Sequence, residues 1–306
     1  MNEKKESVGH LLAVMTILVW GTTFISTKVL LQSITPVEIL FIRFIIGWIV
    51  LSLVYPHRLK VKQRKQELYF AAAGLCGITL YYLLENIALT YTFASNVGII
   101  ISIAPFFTAF FAYLFLKGER LKPQFFVGFL IAFAGVFLIS FNGFSVLKLN
   151  PYGDILAVFA AIVWAAYSIL TKKIGEFNYN TIQTTRRIFF YGLVFMLPAL
   201  KIFQFHPSLE VLIQPTNLFN ILFLGVGASA LCFVTWNTAV RILGAVKTSV
   251  YIYLVPVITV ITSMIVLKEK ITGIAVVGVF LTLIGLFISE NRITIRTKEG
   301  LKDGQA

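Results

Sequence analysis

Glu85 is set apart from the rest of the chain's 13 acidic residues because it falls well inside a long apolar run, next to Tyr81, Tyr82 and Asn86. A carboxylate at such a position is costly, and by default it marks either a named ionic partner or a function. Two readings stand. Glu85 forms a structural salt bridge with Lys28 or Arg43, which lie at comparable depth, or it carries a coupling proton or contacts a substrate amine. Trp20, Tyr82, Trp164, Tyr167 and Tyr251 also lie away from the ends of their runs, whereas interfacial aromatics belong at the ends. Their rings either pack the bundle or wall an amphipathic cavity, with hydroxyls and indole N–H groups as polar handles. Asn86 and Asn237 form a repeated buried amide pair that must find hydrogen-bond partners. They join helices or bind substrate, and their repetition favours the first reading.

Lys172, Arg186 and Arg187 form a basic zone with no acid opposite in the eighth run. Lys172 and Arg187 are candidates for steering an anionic ligand, set against ordinary anchoring of the positive side. Pro105 and Pro256 sit near the middle of two runs, where proline pushes off the carbonyl four residues back, here Ile101 and Ile252. Each is a candidate hinge or a static kink. His10, His57 and His206 lie at edges or in loops, so no histidine relay crosses the core. No nucleotide-binding loop, metal cluster or hydrolase motif appears, and no cofactor or metal is expected. An intramembrane enzyme would have only Glu85 and scattered Asn and Tyr residues to work with.

The elements that must hold these residues are helices in a bilayer. Of 306 residues, 58% are hydrophobic and 13% charged, with mean hydropathy +0.88. Uncharged runs reach the roughly 20 residues that cross a membrane. In lipid every backbone polar group must pair internally, so the runs are helices, and the period-2 alternation of a barrel is missing. Spans are expected at about 10–31, 36–55, 68–91, 94–115, 123–141, 153–173, 179–200, 216–240, 244–267 and 272–290. Outside the helices, only Lys28, Lys148, Lys201, Lys268 and Lys270 fall on one side. The remaining loop and tail cations fall on the other, which places both termini in the cytoplasm. The net charge of +13 is therefore a membrane-orientation signal, and no nucleic-acid partner is expected. Cys76 and Cys232 read as packing residues. The first run has no small-residue cleavage site and is expected to remain as a helix.

The chain repeats itself. Val19-Trp20…Lys28 aligns with Val163-Trp164…Lys172, each a Trp-x7-Lys. Arg43 aligns with Arg187 at the same offset of 144. Gly74, Asn86, Ala88, Ala94 and Pro105 align with Gly225, Asn237, Ala239, Ala245 and Pro256. Glu119, Gly128 and Gly135 align with Glu269, Gly278 and Gly285. An odd number of helices per half inverts the second half relative to the first, and inverted repeats place a site at their interface near the midplane. The expected fold is an all-α integral membrane protein, ten transmembrane helices as two inverted five-helix repeats. The repeats cover 10–141 and 153–290, flanked by a 1–9 tail, a 142–152 linker and a basic 291–306 tail.

Trp20-Gly21-Thr22-Thr23-Phe24, the mid-helix prolines, the acids Glu119 and Glu269 after them, and the paired Gly-x6-Gly stripes carry a family resemblance. The chain resembles EamA-type members of the drug/metabolite transporter superfamily over about residues 8–290. The second loop departs from the pattern by lacking the glycine before Glu269. The resemblance implies secondary transport of small metabolites, often export, with a cavity lined by the first, third, fourth, sixth, eighth and ninth helices. That raises Tyr82, Trp164 and Tyr251 as walls. The expectation is an exporter of an amino acid or related amphipathic compound working by alternating access in the cell membrane, as a monomer or weak oligomer. An importer or antiporter of anionic or nucleotide-linked metabolites, and a channel, are the rival readings.

Overall fold

The computed structural model describes residues 3–91, 94–116, 123–140, 150–267 and 272–290. The Glu119 and Glu269 motifs, most of the 142–152 linker, the 291–306 tail and the cations of those segments lie outside the described residues. Among the described residues the chain is helical, with no strand. Helices α1 (Glu3–Leu30), α2 (Pro36–Val54), α3 (Arg64–Tyr91), α6 (Pro151–Glu176) and α8 (Pro215–Leu243) are long and apolar enough to cross a bilayer. Between and after them come α4 (Ala94–Ile101 and Ala104–Phe115), α5 (Pro123–Ser140), α7 (Thr181–Ile202), α9 and α10 (Gly273–Glu290). The α9 segment runs as Ala245–Ser249, a 3-10 turn Val250–Tyr253, then Leu254–Leu267. A single turn, Leu209–Leu212, precedes α8.

Local sequence sets the helix ends. Thr35 and Glu38 form a capping box at α2, each side chain satisfying the other residue's backbone N–H, with Pro36 opening the helix. Asn150 and Asn180 cap α6 and α7 through their side-chain oxygens. Gly244, at φ 92°, closes α8 and turns the chain directly into α9. Both prolines lie just after a break in their helix. The first piece of α4 stops at Ile101, and Pro105 opens the second piece. Ile252 lies in the 3-10 turn ahead of Pro256.

The sidedness of composition is reversed from that of a soluble bundle. Leu53, Leu130, Ile265 and Phe280 are more than half exposed, whereas Arg43, Glu85, Asn86, Thr185 and Asn237 are buried. An apolar exterior over a polar-seeded interior is what lipid as solvent selects.

The contacts form reciprocal sets. Helix α1 packs on α8 and α9, and α6 packs on α3 and α4. Helix α2 lies against a widened stretch of α8, Phe223–Leu231, and α7 lies against one in α3, Leu75–Leu80. Both stretches have i→i+5 hydrogen bonding, a geometry that turns up at functional sites and that no spacing rule in the sequence announces. Helices α5 and α10 approach closely, because glycines face each other across the contact. A Cβ on Gly128 would come within 2.6 Å of the Gly285 carbonyl, and one on Gly278 within 2.6 Å of that of Gly135. The Gly-x6-Gly stripes are therefore an intramolecular seam.

Candidate functional site

Glu85 lies on the buried face of α3 and Arg43 on that of α2, at 7% and 3% exposure. The carboxylate faces the Tyr81 hydroxyl one turn back on its own helix and lies within reach of the Arg43 charge. Yet among the described residues no cation comes within 4.0 Å of it. Lys28 is exposed. The salt-bridge reading of Glu85, in its direct form, is thus not what the side chains adopt. Arg43 is engaged elsewhere. Its Nε donates to Ser229 Oγ at 3.0 Å, and its guanidinium carbon sits 4.7 Å from the Tyr82 ring centroid and 5.3 Å from that of Phe44. Its Nη2 is buried with no hydrogen-bond partner among the described residues.

Around this pair the aromatic residues form one block. Trp20 and Trp164 meet edge to face at 5.4 Å, and Trp20 also contacts Trp236 at 5.1 Å. Tyr81 bridges Trp164 at 4.7 Å and Tyr82 at 4.8 Å. Phe44, Phe189 and Phe233 close the underside. Of the rings expected to wall a cavity, Trp20, Tyr82, Trp164 and Tyr167 pack into this block, and T-shaped contacts of this kind each add about 0.5–1.5 kcal/mol beyond area burial. Trp20 Nε1 donates to the Ala228 carbonyl at 2.9 Å, in the widened stretch of α8. The same stretch supplies Ser229 to Arg43, so that irregularity delivers both contacts. The indole nitrogens of Trp164 and Trp236 are buried without hydrogen-bond partners among the described residues.

The other candidates divide. Tyr167 donates to Asn237 Oδ1 at 2.9 Å, and Asn237 Nδ2 donates to Thr185 Oγ1 at 3.1 Å. These bonds tie α6, α8 and α7. Asn86 Nδ2 donates to the Pro36 carbonyl at 3.2 Å, joining α3 to the start of α2. Both amides thus join helices. Replacing Tyr167 with Phe is expected to lower unfolding stability by about 1–3 kcal/mol, because it strands a buried amide oxygen. A shift in the denaturation midpoint of the purified protein reads this out, and an unchanged midpoint would show the bond to be idle. Tyr251 stands apart from the ring block and meets His10 Nδ1 at 2.7 Å, near the start of α1. Lys247 pairs with Glu6 at 2.5 Å at the same end.

The basic zone is less free than its sequence implies. Arg187 pairs with Glu67 of α3, which also accepts from the Tyr191 hydroxyl at 2.7 Å. The opposing acid lies on α3 and not on α8. Lys172 is half-buried. A small cleft lined by Thr171, Thr184, Ile188, Asn237 and Arg241 opens beside these residues.

Two further residues, Glu38 and Arg43, take on roles that only the tertiary structure shows. Glu38 is as buried as Glu85, but its carboxylate completes the α2 cap and accepts the His206 N–H at 3.3 Å. The Thr35-x-x-Glu38 spacing carried the signal of the cap alone. Arg43 was read only as a possible partner of Glu85, whereas its own unsatisfied donor makes it the more unusual group.

The profile of the EamA-like transporter family matches the chain twice, over residues 7–141 and 151–290. An uncharacterized transporter of Archaeoglobus fulgidus is 30% identical, the alignment covering 92% of this chain and 96% of that one. A protein of Streptantibioticus cattleyicolor named a probable terminal-alkyne amino-acid exporter is 26% identical, over 95% and 96% of the two chains. One of Escherichia coli named a probable amino-acid metabolite efflux pump is 24% identical, over 96% and 97%. A crystal structure superposes with TM-score 0.72 at 21% identity, over 92% and 96% of the two chains, which supports the fold. With its apolar helices and the family match spanning nearly its whole length, this multi-pass membrane protein belongs to the EamA-like transporter family.

Proposed function

We propose that this chain is a secondary transporter that exports an amino acid or a related small amphipathic metabolite by alternating access. Ten transmembrane helices form two inverted five-helix repeats, 10–141 and 153–290, with both termini cytoplasmic. The observation that carries this reading is the reciprocity of the contacts. Exchanging the halves maps α1·α8 onto α6·α3, α1·α9 onto α6·α4 and α2·α8 onto α7·α3, while α2·α7 and α5·α10 map onto themselves. Side chains follow suit. Trp20 touches Trp164, Phe44 touches Phe189, and the α5·α10 glycines meet in crossed pairs. A two-fold axis in the membrane plane has these consequences, and rocking of two such halves about a central site is how inverted-repeat carriers alternate access.

These contacts also adjust the register. A Cβ on Gly47 would lie 3.3 Å from the Gly225 carbonyl, and one on Gly192 would lie 3.2 Å from that of Gly74. Gly47 and Gly192 are thus mates, like Phe44 and Phe189, at an offset of 145. The equivalent of Arg43 becomes Ile188 rather than Arg187. Pro105 and Pro256 interrupt α4 and α9 and serve as hinges between the rocking bodies. Glu85 binds a proton or the ligand amine, which links the two fluxes. Pairing of Arg187 with Glu67 takes away the main support for an anion importer.

Counterflow in proteoliposomes across a panel of amino acids tests the reading. Saturable exchange of at least one of them, blocked by excess unlabelled compound, is expected. Flux that rises linearly with concentration would indicate a channel and overturn it.

A further inference from the structure

We propose that Arg43 is the group that recognises a carboxylate on the transported molecule, so that Arg43 and Glu85 together select a zwitterion bearing an ammonium and a carboxylate. This rests on the transport reading above and names the residue that sets the substrate class.

Three observations carry it. Arg43 is 3% exposed and keeps a buried Nη2 donor without a partner among the described residues. Guanidinium is a donor only, and its planar fork matches a carboxylate. A buried guanidinium hydrogen with no acceptor is costly enough that it is not retained by chance. Second, Arg43 and Glu85 lie on packed neighbouring helices and still do not pair within 4.0 Å. Ser229 and the Tyr82 face hold Arg43, and Tyr81 faces Glu85. A purely structural ion pair would gain from direct contact. Two opposite charges held apart in a buried site are completed by a molecule carrying both. Third, the chain contains its own control. At the positions equivalent to Arg43, Tyr81, Tyr82 and Glu85 the second half has Ile188, Cys232, Phe233 and Trp236, and at the position equivalent to Ser229 the first half has Ile78. The symmetry-related set of five positions thus carries none of these charges or hydroxyls, and the polar set serves something other than folding. The surrounding rings of Phe44, Trp164 and Phe233 suit an apolar side chain on the ligand.

The test is ligand binding to the purified full chain in nanodiscs, read by the fluorescence of its tryptophans. The probes are alanine, leucine, phenylalanine, glutamine and lysine. For each amino acid that binds, its methyl ester (no carboxylate) and its N-acetyl derivative (no ammonium) are titrated too. In the wild-type protein each modified probe is expected to bind about 10- to 100-fold more weakly than its parent. In Arg43→Gln the parent is expected to fall to the level of the ester, while the ester itself changes by less than about twofold. Equal binding of acid and ester by the wild type overturns the proposal. So does an acid-over-ester preference that survives in Arg43→Gln, or a uniform loss of all probes in a folded variant, which marks a structural role. If Arg43→Gln does not fold, the wild-type probe series decides alone. Binding of none of the five parents also overturns it. Counterflow separates the two levels: exchange that occurs without acid-over-ester preference removes Arg43's role and leaves the transporter, whereas no exchange of any amino acid removes the reading beneath it.

Discussion

Glu85→Gln abolishes pH-driven accumulation while leaving the protein folded. This is the expected result in proteoliposomes with an imposed proton gradient. A pH difference of two units coupled to one proton sustains about 100-fold accumulation, since each unit is worth about 1.4 kcal/mol. Glutamine keeps the size and hydrogen-bonding capacity of the side chain but cannot exchange a proton. The variant therefore equilibrates its substrate without concentrating it. Folding should survive, because among the described residues Glu85 makes no direct ion pair whose loss would strand a cation, and because the equivalent position in the other half is the apolar Trp236. Accumulation that persists in Glu85→Gln with its pH dependence intact would place the coupling elsewhere.

The second large effect is structural. Gly285→Ala adds one methyl group that would lie 2.3 Å from the Ala132 backbone nitrogen and 2.6 Å from the Gly128 carbonyl. Neither neighbour is a flexible side-chain end, so α5 and α10 must separate. Overpacking of this kind costs about 1–3 kcal/mol and at times more, and a seam whose close neighbours are backbone atoms belongs at the upper end. The midpoint of thermal unfolding in detergent is expected to drop by about 5–10 °C, given the usual few degrees per kcal/mol for a chain of this size. Gly98→Ala is the matched control. Among the described residues nothing lies within 4 Å of a Cβ there, and alanine is the better helix former by about 1 kcal/mol. Equal losses in both variants would mean that the effect is not contact at the seam.

Much of the scaffold was legible in the residues. Run length and composition mark the helices, because in lipid an uncharged run of about 20 residues has few other options. Caps at Thr35, Asn150 and Asn180 and the break at Gly244 follow from local backbone chemistry, which needs only near neighbours. The facing glycines could be read as packing because small residues seven apart lie on one helical face. Asn86 and Asn237 each had to find a partner because a buried amide is costly unpaired, and both make bonds between helices.

What the sequence alone could not determine was every property that depends on which distant residues meet. Glu67 reaches Arg187 from 120 residues away, so no local pattern shows that the basic zone is partly neutralised. The widened turns at Leu75–Leu80 and Phe223–Leu231 arise from packing against α7 and α2, and only they bring Ala228 to Trp20 and Ser229 to Arg43. Glu85 could be singled out by its charge in an apolar run, because desolvation cost is a property of the segment. Whether it pairs with Lys28, with Arg43 or with neither was decided by side-chain directions on three helices. The free donor on Arg43 follows from how those helices meet, and only the tertiary structure contains that.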